Sequence, residues 1–570
     1  MIAITAGPHG GASAGAGETA SRPRLKVGLL VNSEHVSKHV YELVHWAQST
    51  HSLQFTHLIV QQRPASETSL LSVLKRKGPV ALLTQLLWRV KNRVESRAVA
   101  AIPGYEGHNR TFDVGALVPG RIFLSAIVSS SGLVHRFSDS DLEQVRREQF
   151  DCLIRAGAGI LKGGILTSAR LGILSFHHGD NRINRGGPPG FWEVYYRQSA
   201  TGYVVQRLTE TLDGGDVILR GYTPTQATHL LNCAMLFNKS YFQLRQLLLR
   251  IAATGELPPI EAPVPYAERL FVAPRLRELL CYLCMQMSQA FVARTRQILG
   301  RQERWSISFS RNNWPDVVMR SGVRVPTPRG RFLADPFVVT RGGMSCIFAE
   351  DYVFRTGKAH ISAFELSDAG VRELGVALEE DFHLSFPYLF EFNGSLYMCP
   401  DTSAARQIRI YECTQFPLQW KLASVAMRDV TAVDTMIFEE NGLWWLFTNI
   451  SHTQPPGYFA ELYLFSASTP LSTRWEPHRL NPVSTDPQYA RNGGLLRDSG
   501  RLIRVAQSQG FQCYGARANL MQITRLSREE YAEQPVSRVT PTFMPGIEGS
   551  HHLHSNGIYT VWDHKRHERI

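Results

Sequence analysis

Cysteine is sparse in this chain, eight in 570 residues, and the spacing is irregular. That excludes a disulfide-stapled scaffold and suits a reducing cytoplasm. Long hydrophobic runs are also missing. No stretch of about eighteen apolar residues occurs, so no membrane-spanning helix is expected. The first 23 residues, with Gly7, Gly10, Gly11, Ala12 and Ser13, lack the apolar centre of a signal peptide and read as a disordered tail. Acidic residues are in deficit, 49 against 61 Lys and Arg, leaving a net charge of +12. Such a surface suits an anionic partner, whether nucleotide, phospholipid surface or nucleic acid, and charge alone does not choose among them. With 44% apolar and 19% charged residues the composition is globular rather than disordered. The length exceeds what one core supports and implies roughly two to four domains.

Residues 24–255 alternate short apolar runs with helical patterns. Leu25–Val31, His57–Val60 and Cys152–Ala156 read as buried strands, and Val40, Leu43, Val44 and Trp46 as a helix face. This order predicts a mostly parallel sheet with crossover helices and ligands at the carboxyl ends of its strands. Residues 69–98 read as basic amphipathic helices that cover the sheet, pack on another domain or rest on a membrane surface. Residues 256–300 form a Pro-rich and then helical linker. Cys281 and Cys284 fall in its apolar helical stretch, and with no second pair to complete a zinc set they are expected in a core.

From 301 onward the pattern changes to strands and turns. Gly342-Gly343, Asn393-Gly394, Asn441-Gly442, Ser499-Gly500 and Asn556-Gly557 each precede an apolar strand, recurring about every 50 residues. A five-bladed β-propeller over 301–570 follows from that period. Strands just before these turns carry Asp335, His383, Asp434, Arg491 and the pair His551 and His552. As innermost strands they would converge these polar groups on a central channel, either as contacts for a glycan or as hydrogen-bonded plugs of the channel.

Two resemblances add to this reading. Leu174-Ser175-Phe176-His177-His178-Gly179-Asp180, leading to Arg185-Gly186, and the turn Leu212-Asp213-Gly214-Gly215-Asp216 resemble the folate-dependent formyltransferases. In that family an Asn-x-His strand and loop precedes an Asp-x-Gly turn at this separation. The resemblance implies a Rossmann-like α/β domain that moves a formyl group from 10-formyltetrahydrofolate to an amine. His177 would stabilise the tetrahedral oxyanion as imidazolium, and Asp213 would tune it and relay the proton. Ser175 stands where the family carries its catalytic Asn and offers one O–H donor instead. Loss of one oxyanion donor costs ~10²–10³ in rate. Ala158, Gly159, Ile160 and Leu161, with Leu208, Thr209, Glu210 and Leu212, match the positions whose backbone cradles the pterin.

The polar loop His178, Asp180, Asn181, Arg182 and Arg185 reads as substrate-binding. Trp192 and Glu193 offer a ring to stack on a sugar and a carboxylate for its hydroxyl or amine, with helix packing as the alternative. The second half resembles the propeller-like N-terminal region of plant glucosamine inositolphosphorylceramide transferases, through Ala334-Asp335-Pro336-Phe337, His383-Leu384-Ser385-Phe386-Pro387 and Leu443-Trp444-Trp445-Leu446-Phe447. It is more distantly similar to arabinanase-type glycosidases, whose acidic Glu on the fourth blade is replaced here by Arg491 and Gln507.

The expected protein is a multidomain cytoplasmic enzyme that contacts the inner face of a membrane at most peripherally. It would formylate the amine of an amino sugar, carried on a nucleotide or a lipid-linked glycan, without a metal or nucleic acid. The rivals are a glycan-binding protein that no longer uses folate and a glycosidase acting through Asp335 and Asp434.

Overall fold

A computed structural model of the chain describes residues 23–62, 70–130, 132–211, 214–367, 370–452 and 461–569. The chain is multidomain and built from many sheets. The first half is organised by a seven-stranded sheet. Its order is Asp216–Pro224, Ala200–Arg207, Ile173–His177, Cys152–Arg155, Leu25–Val31, Leu53–Gln62 and Gly120–Ser125. The five strands from Ile173–His177 to Gly120–Ser125 run parallel, and the two at the other edge are antiparallel.

Apart from Lys26 near its start, Leu25–Val31 is apolar and buried because both faces of this sheet are covered. Val27, Leu29 and Val31 face helices Lys38–Gln48 and His229–Thr254, meeting Val40, Leu43, Leu247 and Ile251. Leu30 falls on the opposite face with Leu142 and Val145 of helix Asp139–Arg147, as alternation along a strand requires. Ser138 caps that helix by accepting a hydrogen bond from the Asp141 amide.

From Arg301 the chain forms five antiparallel four-stranded sheets. Four are built from consecutive strands. The fifth pairs Arg301–Ser310 with Thr560–Arg569, so the two ends of this half are zipped together from Arg301↔Arg569 to Ser310↔Thr560. The first strands of successive sheets, Arg331–Arg341, Ser385–Phe392, Ala432–Glu440, Arg491–Asp498 and Leu553–Ser555, touch one another in a closed ring. Closure leaves no free inner edge. Four two-residue turns join the first and second strands with both residues left-handed: Gly342-Gly343 (φ 57 and 81), Asn393-Gly394 (φ 50 and 77), Asn441-Gly442 (φ 54 and 76) and Ser499-Gly500 (φ 47 and 78). This is the hairpin geometry for which Asn-Gly is selected.

The segment between the halves departs from expectation in one respect. Leu276–Ile298 is a helix with Leu279 and Tyr282 fully buried, yet Cys281 and Cys284 are exposed. An apolar stretch on a helix buries one stripe, and the two cysteines fall beside it rather than on it.

Candidate functional site at the ring axis

The inner strands share a local irregularity. Their pairing skips between Ala334 and Phe337, Ser385 and Tyr388, Val433 and Met436, and Asn492 and Leu495. The residue inside the skip is left-handed in three sheets, at Asp335 (φ 47), Phe386 (φ 46) and Asp434 (φ 51), and Gly494 (φ 127) relaxes the fourth. A bulge re-aims the side chain it carries, and left-handed non-glycine residues cluster where structure serves function. Gly493 stands where the other sheets have Asp335, Phe386 and Asp434. A Cβ there would lie 2.3 Å from the His551 carbonyl oxygen, so that approach requires glycine.

These bulges gather a cluster of acids. Arg491 donates from Nε to Asp434 Oδ2 at 2.5 Å, and Gln507 Nε2 donates to the same oxygen at 3.1 Å. His551 pairs through Nδ1 with Asp563 Oδ2 at 2.6 Å and turns Nε2 toward Asp335 Oδ1 at 3.6 Å. Burial works against charge on both His551 and Asp563. Their pairing outweighs it, holding the imidazole above and the carboxyl below their usual ranges.

Three carboxyls are raised all the same, and at Asp335 the His551 imidazole, 3.6 Å away, offsets only part of the cost of burial. Burial, reinforced by Asp434 and Asp563, pushes Asp335 up to about 7. Burial and then Asp434 push Asp401 up to about 6. Glu350 is raised by burial and by Asp335, Asp401 and Asp434. Asp335 Oδ1 is buried without a hydrogen-bond partner among the described residues. His383, with its side chain 39% exposed, lies 3.4 Å from Glu350 Oε1 and forms part of the rim. Perturbed carboxyls of this kind concentrate at functional sites.

Asp335, His383, Asp434 and Arg491 are therefore brought together as the sequence implied. Glu350, Asp401 and Asp563 were missed. Glu350 pairs with Ala334 and Asp401 with Ser385, so they occupy one register position in adjacent sheets. Superposing the repeats would have exposed them.

The first half behaves differently from expectation. Asp213 and Leu212 lie outside the described residues. His177 is buried and donates from Nε2 to the Asn184 carbonyl oxygen at 2.7 Å, and Ser175 Oγ accepts from Arg155 Nη1 at 3.4 Å. The Ser175 hydroxyl itself donates to the Phe176 carbonyl oxygen at 3.4 Å, so both donors are engaged, an arrangement that does not fit an oxyanion pocket for a formyl group.

The polar loop is a structural tie rather than an open site. Asp180 accepts from Arg220, from the Tyr222 hydroxyl at 2.9 Å and from the Arg182 amide. Asn181 accepts from the same Arg220, and Arg182 pairs with Glu261. Arg185 lies over the Tyr266 ring. His178 is enclosed between Phe176 and Phe237, where burial holds its imidazole down at about 3. Trp192 and Glu193 are both 2% exposed: the indole packs among Phe191, Val194 and Tyr282, and the carboxylate accepts from Asn184. Neither is free to hold a sugar.

Among the pterin-cradle positions, Ala158 O accepts from Gln61, Gly159 O from Arg155, and Glu210 from the Gly163 amide. Ile160 and Leu161 form a short strand, with Leu161 in the core. A groove of about 1020 Å³ is lined by Gly163, Leu208, Thr209 and Glu210, but also by Asp151 and Gly172, where two of the parallel strands begin. It thus opens at the sheet edge opposite His177.

The two halves meet at the acid-bearing end of the ring. Lys239 pairs with Glu461 at 2.6 Å with both side chains buried, and Gln243 donates to the same carboxylate. Tyr222 N donates to Thr485 Oγ1, and Phe511 packs against the Phe191–Trp192 cluster. Thr485 and Phe511 flank Arg491 and Gln507 in the chain, and Glu461 precedes Leu462, which pairs with Asn449 near the same rim.

Against known proteins, residues 312–548 match the family described as glucosamine inositolphosphorylceramide transferase 1, N-terminal. The enzyme of that name from Arabidopsis thaliana is 39% identical over 215 residues, covering 36% of this chain and 27% of that protein. The one from Oryza sativa subsp. japonica is 34% identical over 232 residues, covering 39% and 31%. The chain thus spans under a third of the length of these curated relatives. Among solved structures, the family 117 glycoside hydrolase Zg3597 of Zobellia galactanivorans is 12% identical over 45% of this chain and 80% of its own, with a TM-score of 0.31. Glycinamide ribonucleotide transformylase 1 of Symbiobacterium toebii is 13% identical over 41% and 89%, with a TM-score of 0.27. Scores at that level carry no functional weight. The sequence relatives bear the name of a different transferase, and the expectation of folate-dependent formyl transfer is corrected accordingly.

Proposed function

We propose that the ring is a five-bladed propeller, spanning 301–570, that binds an amine-bearing saccharide head group at its axis and presents it for sugar transfer. The observation that carries this reading is the trio Asp335, Glu350 and Asp401, buried acids whose proton affinity is raised first by burial and then by their acidic neighbours, with His551 offsetting only part of this at Asp335. Asp434 and Asp563 are already matched by Arg491 and His551. A ligand ammonium supplies the missing charge, while sugar hydroxyls suit the remaining carboxyl oxygens and the His383 rim. The relatives' name, which couples glucosamine to a lipid-linked inositol phosphate, fits such a head group. Residues 24–255 then act as a Rossmann-like α/β body docked on the binding end, not as a folate enzyme.

Hydrolysis is not favoured. Inversion or retention requires a free carboxylate opposite the acid, and Asp434 Oδ2 is held by both Arg491 and Gln507. Calorimetry with glucosamine and with N-acetylglucosamine tests the proposal. Glucosamine is expected to bind and to lose most of its affinity in Asp335→Asn, with the N-acetyl sugar weaker. Equal binding of both sugars, or binding indifferent to Asp335→Asn, would remove the acid trio from the account.

A further inference from the structure

Helices Leu70–Ala100 and Leu276–Ile298 pack together through Tyr282, whose hydroxyl donates to Glu95 at 2.8 Å, with Lys91 over its ring. The faces turned away from that contact are apolar and uncovered. On the first helix Leu83, Leu86, Val90 and Val94 recur at helical spacing, with Val90 and Val94 both 61% exposed. On the second, Met287 and Phe291 are 73% and 72% exposed, and Ile298 continues the stripe after a further two turns. Soluble surfaces seldom leave such stripes bare without a use.

The charges beside the stripes have one sign. Arg89, Arg93 and Arg97 are exposed on the first helix, and Arg277, Arg294 and Arg296 on the second. The carboxylates of the described parts are occupied: Glu95 is buried with Lys91 and the Leu230 amide, and Glu278 accepts from the Arg275 amide. Each helix thus offers an apolar strip flanked by arginines and no free acid.

We propose that this face docks the protein on an anionic lipid surface, the apolar stripes entering the headgroup boundary and the arginines meeting lipid phosphates and carboxylates. A second copy of the chain would bring six like charges against six, which repels. An anionic bilayer instead matches the apolar strip and the charge together. No helix among the described residues is long and apolar enough to span a membrane, so the contact is peripheral. The inference does not depend on the saccharide reading.

Co-sedimentation of the full chain with phosphatidylcholine vesicles, with and without phosphatidylserine, tests it. Binding is expected on the phosphatidylserine vesicles alone and should weaken with added salt. The variant R89Q/R93Q/R97Q should lose about fivefold per arginine. The variant M287E/F291E should lose binding, while circular dichroism melts show both variants folded. Equal binding to neutral and anionic vesicles, or retention in M287E/F291E, would overturn the proposal. So would a concentration-dependent dimer in light scattering that disappears in M287E/F291E, since it would assign the face to a second copy.

Discussion

Replacing Asp335 with Asn should make the protein more stable above neutral pH. The Asp335 carboxyl is 5% exposed and is raised from 3.8 to about 7, first by burial and then by Asp434 and Asp563. The folded state therefore holds a proton that the unfolded chain has already released, and stability falls as pH rises from about 4 to about 7. Above that window the full penalty of a buried, under-compensated carboxylate is present. A shift near three pKa units corresponds to on the order of 4 kcal/mol. Asn keeps the size and removes the charge, so the gain should appear near pH 8 and vanish near pH 4. Urea unfolding can be followed by tryptophan fluorescence, to which buried Trp305, Trp445 and Trp562 of this half contribute. The expected result is a higher midpoint for the variant at alkaline pH and a shallower pH profile. An unchanged or lower midpoint at alkaline pH, with the wild-type slope retained, would mean that Asp335 is ionised and well paired in the folded protein.

Glu461→Ala should strand Lys239 at the junction of the halves and cost about 3–5 kcal/mol, visible as a lower melting temperature; adding Lys239→Met should recover most of it. Gly493→Ala should destabilise the ring, because its Cβ meets the His551 carbonyl oxygen, and should weaken saccharide binding along with the melting temperature. Trp192→Ala should cost about 3–5 kcal/mol as a core truncation. A Trp192→Ala protein that melts like wild type but no longer binds sugar would restore the stacking role that its burial denies.

The strands of both halves were legible because they follow period-two and buried-run patterns. Leu25–Val31 and the Asn393-Gly394 and Asn441-Gly442 hairpins express local chemistry that needs no tertiary knowledge. Asp335, Asp434 and Arg491 could be placed on inner strands because each precedes a turn signal by a similar distance. Glu350 and Asp401 sit on second strands and reach the axis through cross-strand register, so they stand out only when the repeats are superposed. The loop from His178 to Arg185 misled for a related reason. Its polar density reads as a site, but Arg220, Tyr222 and Glu261, distant in sequence, consume those groups in a part-buried network. Trp192 is ambiguous in sequence, because an aromatic beside a carboxylate reads alike on a sugar platform and in a core.

Proton exchange on ligand binding tests the acid trio most directly. Titrating glucosamine near pH 6.5, in buffers that differ in ionisation enthalpy, should reveal protons released as the ammonium converts Asp335 and its neighbours to carboxylates. Binding with no proton release, or with uptake, would contradict an amine seated among these acids.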